Sequence, residues 1–111
     1  KELRMKFVLF QTKEDLPREC DPSFMSYDFC KNHNIPICKS AYNVAFKGDY
    51  KPDKTLDECL EALFVIFNTN RPANFTGRSM SVSDVIAVII NDFTTEYYYV
   101  DSTGFKKLEN F

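Results

Sequence analysis

Short apolar runs separated by proline-, glycine- and asparagine-bearing turns dominate this chain, and their periods predict strands at both ends and a helix between them. Met5 to Thr12 (MKFVLFQT) is apolar and aromatic, and of a length that suits a buried strand. Leu16 to Ser40 breaks the pattern with Pro17, Pro22 and Pro36; within it Pro22 and Ser23 could open a helix through SFMSYDFCKNH, with Phe24, Tyr27 and Cys30 three residues apart. Ala41 to Phe46 alternates as a second strand, and Gly48-Asp49-Tyr50-Lys51-Pro52-Asp53 reads as the turn after it. The clearest helix spans Leu56 to Asn68. Thr55 and Glu58 form a capping box, Asp57 and Glu58 sit at the positive end of the helix dipole, and Leu56, Cys59, Leu60, Leu63, Phe64 and Phe67 make one apolar face. After a loop from Arg71 to Ser81, Val85 to Ile90 is a strand apolar on both faces, Asn91-Asp92 a turn, and Tyr97 to Val100 the returning strand.

These elements add up to an α+β fold: a small antiparallel sheet of about four strands, two helices on one side, and an irregular segment bearing cysteine and histidine. At 111 residues with 44% hydrophobic side chains, the chain suits one domain over residues 1–111, and its eleven Phe and six Tyr supply an aromatic core or binding face. Fourteen basic against sixteen acidic residues leave a net charge of −2, which argues against direct nucleic-acid binding. No apolar run reaches the ~20 residues of a membrane span and no signal-peptide pattern opens the chain, so the expected location is the cytoplasm of a bacterial host.

Arg71-Pro72, Phe75, Gly77, Ser79 to Asp84 and the run Tyr99-Val-Asp-Ser-Thr-Gly-Phe105 together resemble the YodL-like domain, a small module of proteins from bacterial plasmids, conjugative elements and phages. The resemblance is close over about a third of the chain. It implies a fold and a genetic setting, and no particular reaction.

Cys20, Cys30, His33 and Cys38 share the irregular segment with spacing C-x9-C-x2-H-x4-C. Thiolates and imidazole suit zinc, and Cys30 and His33, three apart on a helix, would share a face, so a structural zinc is one expectation for these four. Free thiols in a reducing cytosol, or a disulfide, are the alternatives. Cys59, on the apolar helix face, reads as core. A Cys/His nucleophile pair has no sequence feature that would lower a thiol pKa.

The Arg71 to Asp84 loop offers hydroxyls and charge that could hold an anion, but a lone Gly77 without a following lysine is not a phosphate loop. Ser81, Ser83 and Asp84 read better as partners of loop amides, and Asp101-Ser102-Thr103-Gly104 as a strand-ending turn. Asp49, Asp53, Asp57, Glu58 and Glu61 gather before and within the helix start, either as a solvated, dipole-favoured cap or as a face that imitates DNA phosphates toward a nuclease, with Asp53, Asp57, Glu58 and Glu61 as the expected partner-binding residues. Interleaved Lys47, Lys51 and Lys54 weaken the imitation.

No full catalytic set assembles, so the expected function is non-enzymatic. By analogy with small proteins of phages and mobile elements, the resemblance implies a counter-defence protein that binds and inhibits a host nucleic-acid-targeting nuclease such as a CRISPR effector. The alternatives are an accessory protein-interaction domain of mobile-element machinery and a small thiol- or metal-dependent enzyme.

Overall fold

A computed structural model describes residues 5–50 and 55–111. Five strands, β1 (Met5–Thr12), β2 (Tyr42–Tyr50), β3 (Val85–Asn91), β4 (Thr94–Val100) and β5 (Phe105–Leu108), form one antiparallel sheet in the order β2-β1-β3-β4-β5. Helix α1 (Tyr27–Asn32) precedes β2 and helix α2 (Leu56–Thr69) follows it. The α+β reading of the sequence therefore holds, with five strands instead of four. The additional strand, FKKL, is short and half lysine, and only its pairing from Val100↔Phe105 to Tyr97↔Leu108 reveals it.

The period of two in β3 divides the core. Ile86 and Val88 join Phe7, Leu9, Tyr98 and Val100 beneath Leu60, Leu63 and Phe67 of α2. Val85 and Ala87 face the other way, with Phe10, Tyr42, Tyr99 and Leu108, and there Tyr27 of α1 packs. The helices thus lie on opposite faces, where the sequence reading had both on one side. A strand whose four residues Val85 to Val88 are all buried requires cover on both faces, and that signal was present in its unbroken apolar run.

Phe67 is the hub of the α2 face. Its ring meets those of Phe75 at 4.9 Å, Phe46 at 5.3 Å and Phe7 at 6.1 Å, all near-perpendicular. The capping box is formed: Thr55 Oγ1 accepts from Glu58 N–H, and Thr55 N–H donates to Glu58 Oε1 at 3.1 Å.

Three elements depart from their expected bounds by more than a residue. β4 begins at Thr94 instead of Tyr97, because its pairing with β3 extends through Val88↔Glu96 and Ile89↔Thr95 to Asn91↔Thr94. β2 continues to Tyr50 through the expected Gly48-Asp49-Tyr50 turn, because pairing with β1 runs unbroken from Leu9↔Phe46 to Met5↔Tyr50. Gly48 fits there since a Cβ would come within 2.7 Å of the Phe46 ring and 3.3 Å of Phe7. Lys51, Pro52 and Asp53, the rest of that turn, fall outside the described residues. Helix α1 is shorter than SFMSYDFCKNH because Phe24 takes a left-handed backbone (φ 64°), and Ser26 becomes the cap by accepting from Phe29 N–H.

Phe67→Ala is expected to cost roughly 3–5 kcal/mol, because it empties the centre of a four-ring cluster. Val65→Ala, on the exposed side of the same helix, should stay within about 0.5 kcal/mol. Urea unfolding of the two variants checks this; equal losses would show that Phe67 is not the hub.

Candidate functional site

The carboxylate of Asp84, fully buried at the entry to β3, organises the polar interior. Its Oδ2 accepts from Gln11 Nε2 and from Ser81 N–H, both at 3.0 Å, and Oδ1 lies 3.4 Å from a terminal nitrogen of Arg78. The same Arg78 nitrogen donates to Thr12 Oγ1 at 2.9 Å, and Thr12 Oγ1 also accepts from Ser23 Oγ at 2.7 Å. Gln11 Nε2 donates in addition to Arg78 C=O. Gly77 permits this closeness, since a Cβ there would lie 2.5 Å from Gln11 Oε1. The loop before β3 is thereby tied to the end of β1.

Ser83, next in the chain, has a left-handed backbone (φ 90°) and is also fully buried. Its N–H donates to Val100 C=O, its C=O accepts from the Tyr42 hydroxyl at 2.6 Å, and its Oγ accepts from Phe24 N–H at 3.0 Å. A second carboxylate repeats the device: Asp101 Oδ1 accepts from Tyr27 N–H, the first residue of α1, and from Ser102 N–H. The Asp101–Gly104 turn closes with Asp101 N–H donating to Gly104 C=O, and Gly104 has φ 70°. Tyr99 OH donates to Met25 C=O at 2.6 Å. Both family-like stretches are thus consumed in holding the segment before and within α1 against the sheet.

Electrostatics follow from this burial. Desolvation pushes Asp84 up to about 6 against the bonds from Gln11 and Ser81 and the Arg78 charge, which favour the anion. Burial likewise raises the Tyr42 and Tyr99 hydroxyls and the Cys30 thiol. Asp84 has no exposed edge from which to exchange a proton with a substrate, and Cys30 is held in the unreactive thiol form.

The four expected metal ligands are not brought together. Cys30 is buried against Tyr99, its Sγ 3.7 Å from the hydroxyl; Cys38 Sγ lies 3.1 Å from Ser40 Oγ; and His33 stacks on Phe29 at 3.9 Å with Nδ1 2.9 Å from Phe29 C=O. Among the described residues no three His, Cys, Asp or Glu side chains are grouped to hold a metal, and all four cysteines are free thiols. The three-residue spacing of Cys30 and His33 fails as a chelate because Cys30 turns into the core while His33 is the exposed C-cap of α1. Of the expected acidic face, Asp57, Glu58 and Glu61 are exposed on the first turns of α2, with Glu58 engaged in the capping box; Asp53 lies outside the described residues.

Sequence reasoning passed over the surface beside this network. Phe24 is 62% exposed, its chain neighbour Met25 and, five residues on, Phe29 are exposed as well, and the Arg78 guanidinium sits 5.4 Å from the Phe24 ring. Met25 and Phe29, but not Phe24, line a groove of about 720 Å³ together with Leu16, Arg18, Asp21 and His33. The signal available in the sequence was the pairing of two large apolar residues, Phe24-Met25, with turn-forming Pro22-Ser23.

An α+β sheet domain knotted by one buried carboxylate is the class these features define. The family model of the YodL-like domain matches residues 6–111, and the chain belongs to that family. No curated protein and no solved structure matches it. Among the described residues, no helix is long and apolar enough to cross a membrane.

Asp84→Ala is expected to cost roughly 2–4 kcal/mol, because it strands the donors of Gln11, Ser81 and Arg78. The pH response has a definite sign. Folded Asp84 keeps its proton up to about 6, whereas its ordinary value is 3.8, so between these values the folded chain binds more protons than the unfolded one. Wild-type stability should therefore fall relative to Asp84→Asn as pH rises through that window. Melting curves of both proteins across it decide the point; a relative gain for the wild type would reverse the assignment.

Proposed function

We propose that this protein works by docking to a protein partner and performs no chemistry itself, and that the partner is a nucleic-acid-targeting nuclease of the host, such as a CRISPR effector. The observation that carries the docking reading is the presentation of Phe24. A bulky residue in a left-handed conformation costs on the order of 1–3 kcal/mol, and here Ser83, itself left-handed, holds it in place by accepting from its N–H. An exposed Phe24 held through its backbone N–H, with Met25 and Phe29 exposed and lining an open groove, is the kind of apolar anchor a protein interface uses.

The chain resembles a module of phages and mobile elements, where small proteins that block host nucleases are common, and this is an argument by analogy. The net charge of −2 favours a protein surface over nucleic acid as ligand. Asp57 and Glu61 add exposed negative charge that would steer the chain toward a basic nucleic-acid channel.

Titration into a nuclease cleavage assay tests the proposal. Inhibition should saturate near one inhibitor per nuclease, and Phe24→Ala should weaken it on the order of tenfold or more without lowering the melting temperature. Reversing Asp57 and Glu61 should slow association, and added salt should mimic that loss. No inhibition at large excess across a panel of effectors, with an element-encoded protein captured instead, would replace the inhibitor by an accessory interaction domain. Activity rising with time at low ratios would indicate an enzyme.

A further inference from the structure

The sheet ends in two unequal edges: β5 has four residues, and β2 has nine. β2 pairs with β1 on one side only, and among the described residues no other backbone hydrogen bond engages residues 46–50. A strand edge of this kind carries a row of N–H and C=O groups able to accept another strand. The first half of β2 is unsuited to that role, because a bulge interrupts its register between Leu9↔Phe46 and Phe10↔Val44. Its second half, Phe46 to Tyr50, is regular and ends in the sequence Phe-Lys-Gly-Asp-Tyr.

That sequence is complementary to itself when read antiparallel. Phe46 and Tyr50 lie on the α2 face, packed against its core, while Lys47 and Asp49 project from the other face with Val8 and Lys6 opposite them on β1. A two-fold axis at Gly48 sets Lys47 of each copy across from Asp49 of the other and Phe46 across from Tyr50. An axis at Lys47 or Asp49 would instead place like charges face to face. Asp49 would then stand between Lys6 of its own chain and Lys47 of the second copy. Gly48, which has no side chain to hold the strands apart, would sit at the axis.

We propose that β2 pairs antiparallel with β2 of a second copy of this chain about Gly48, joining two five-stranded sheets into one continuous sheet. Such an isologous contact closes on itself and gives a dimer, not a fibre. Phe24 bonds to Ser83, at the opposite end of β1 from its Phe7↔Gly48 pair, so the dimer leaves both Phe24 surfaces open and makes the molecule bivalent. The inference does not depend on which partner that surface binds.

Sedimentation velocity over a concentration series, from low micromolar to millimolar, reads the association directly. Wild type should pass from monomer to dimer. Lys47→Asp and Asp49→Lys should each weaken the dimer by about tenfold, by setting like charges across both symmetry-related pairs. The double exchange, Lys47→Asp with Asp49→Lys, should dimerise more tightly than either single variant, and circular dichroism should show all three folded. A wild type that remains monomeric throughout overturns the proposal. So does a dimer indifferent to the single changes, or a double exchange no tighter than the singles, since each places the contact elsewhere.

Discussion

The structure depends on keeping one carboxylate out of water. Asp84 is buried at the point where the loop before β3, the end of β1 and the end of β4 converge, and its cost of desolvation is offset by Gln11, the Ser81 amide and Arg78. Its backbone is as fully engaged: the N–H donates to Ser81 C=O and the C=O accepts from Val100 N–H. Because the donors to its carboxylate come from separate stretches of chain, the network orients the loop as a unit. A hydrophobic contact at this position could hold the segments together, but it would not set the direction in which the loop leaves the sheet.

From that knot the constraint passes outward along two short routes. Thr12, bound by Arg78, accepts from Ser23; Ser83, beside Asp84, accepts from Phe24 N–H. Tyr99 and Asp101, which flank Val100 in the chain, hold Met25 and Tyr27. The residues before α1 have little core-forming pattern of their own, and these polar ties to the sheet give them a fixed course. The result is a rigid exposed pair, Phe24 and Met25, rather than a mobile loop tip. Residues that resemble the family are in this way the framework, and the proposed contact surface is what the framework displays.

Legibility in the sequence followed the range of the interaction that decides each element. α2 was readable because its cap, dipole and apolar stripe are all local; Thr55 and Glu58 alone fix its start. β1, β3 and most of β4 were readable from apolar runs. β5 and the second half of β2 were not, since FKKL and KGDY have weak strand character and owe their conformation to the neighbouring strand. The structural role of Ser81, Ser83 and Asp84 was correctly inferred from side-chain chemistry, but the distant partners of this loop, Gln11 for Asp84 and Thr12 for Arg78, some seventy residues away, had no local signal. The Cys/His cluster shows the converse. Closeness in sequence suggested a shared ion, and the burial of Cys30 against Tyr99 separated it from His33.

Residue-resolved hydrogen exchange measures most directly whether the Asp84 knot is the framework. If it is, the amides of Ser81, Ser83, Asp84 and Val100 exchange only through global unfolding, with the same opening free energy as the core amides of β1 and β3, and Phe24 N–H is protected with them. Fast exchange of Ser81, Ser83 and Phe24 while β1 and β3 remain protected would contradict the account, because the loop and the aromatic surface would then open independently of the sheet.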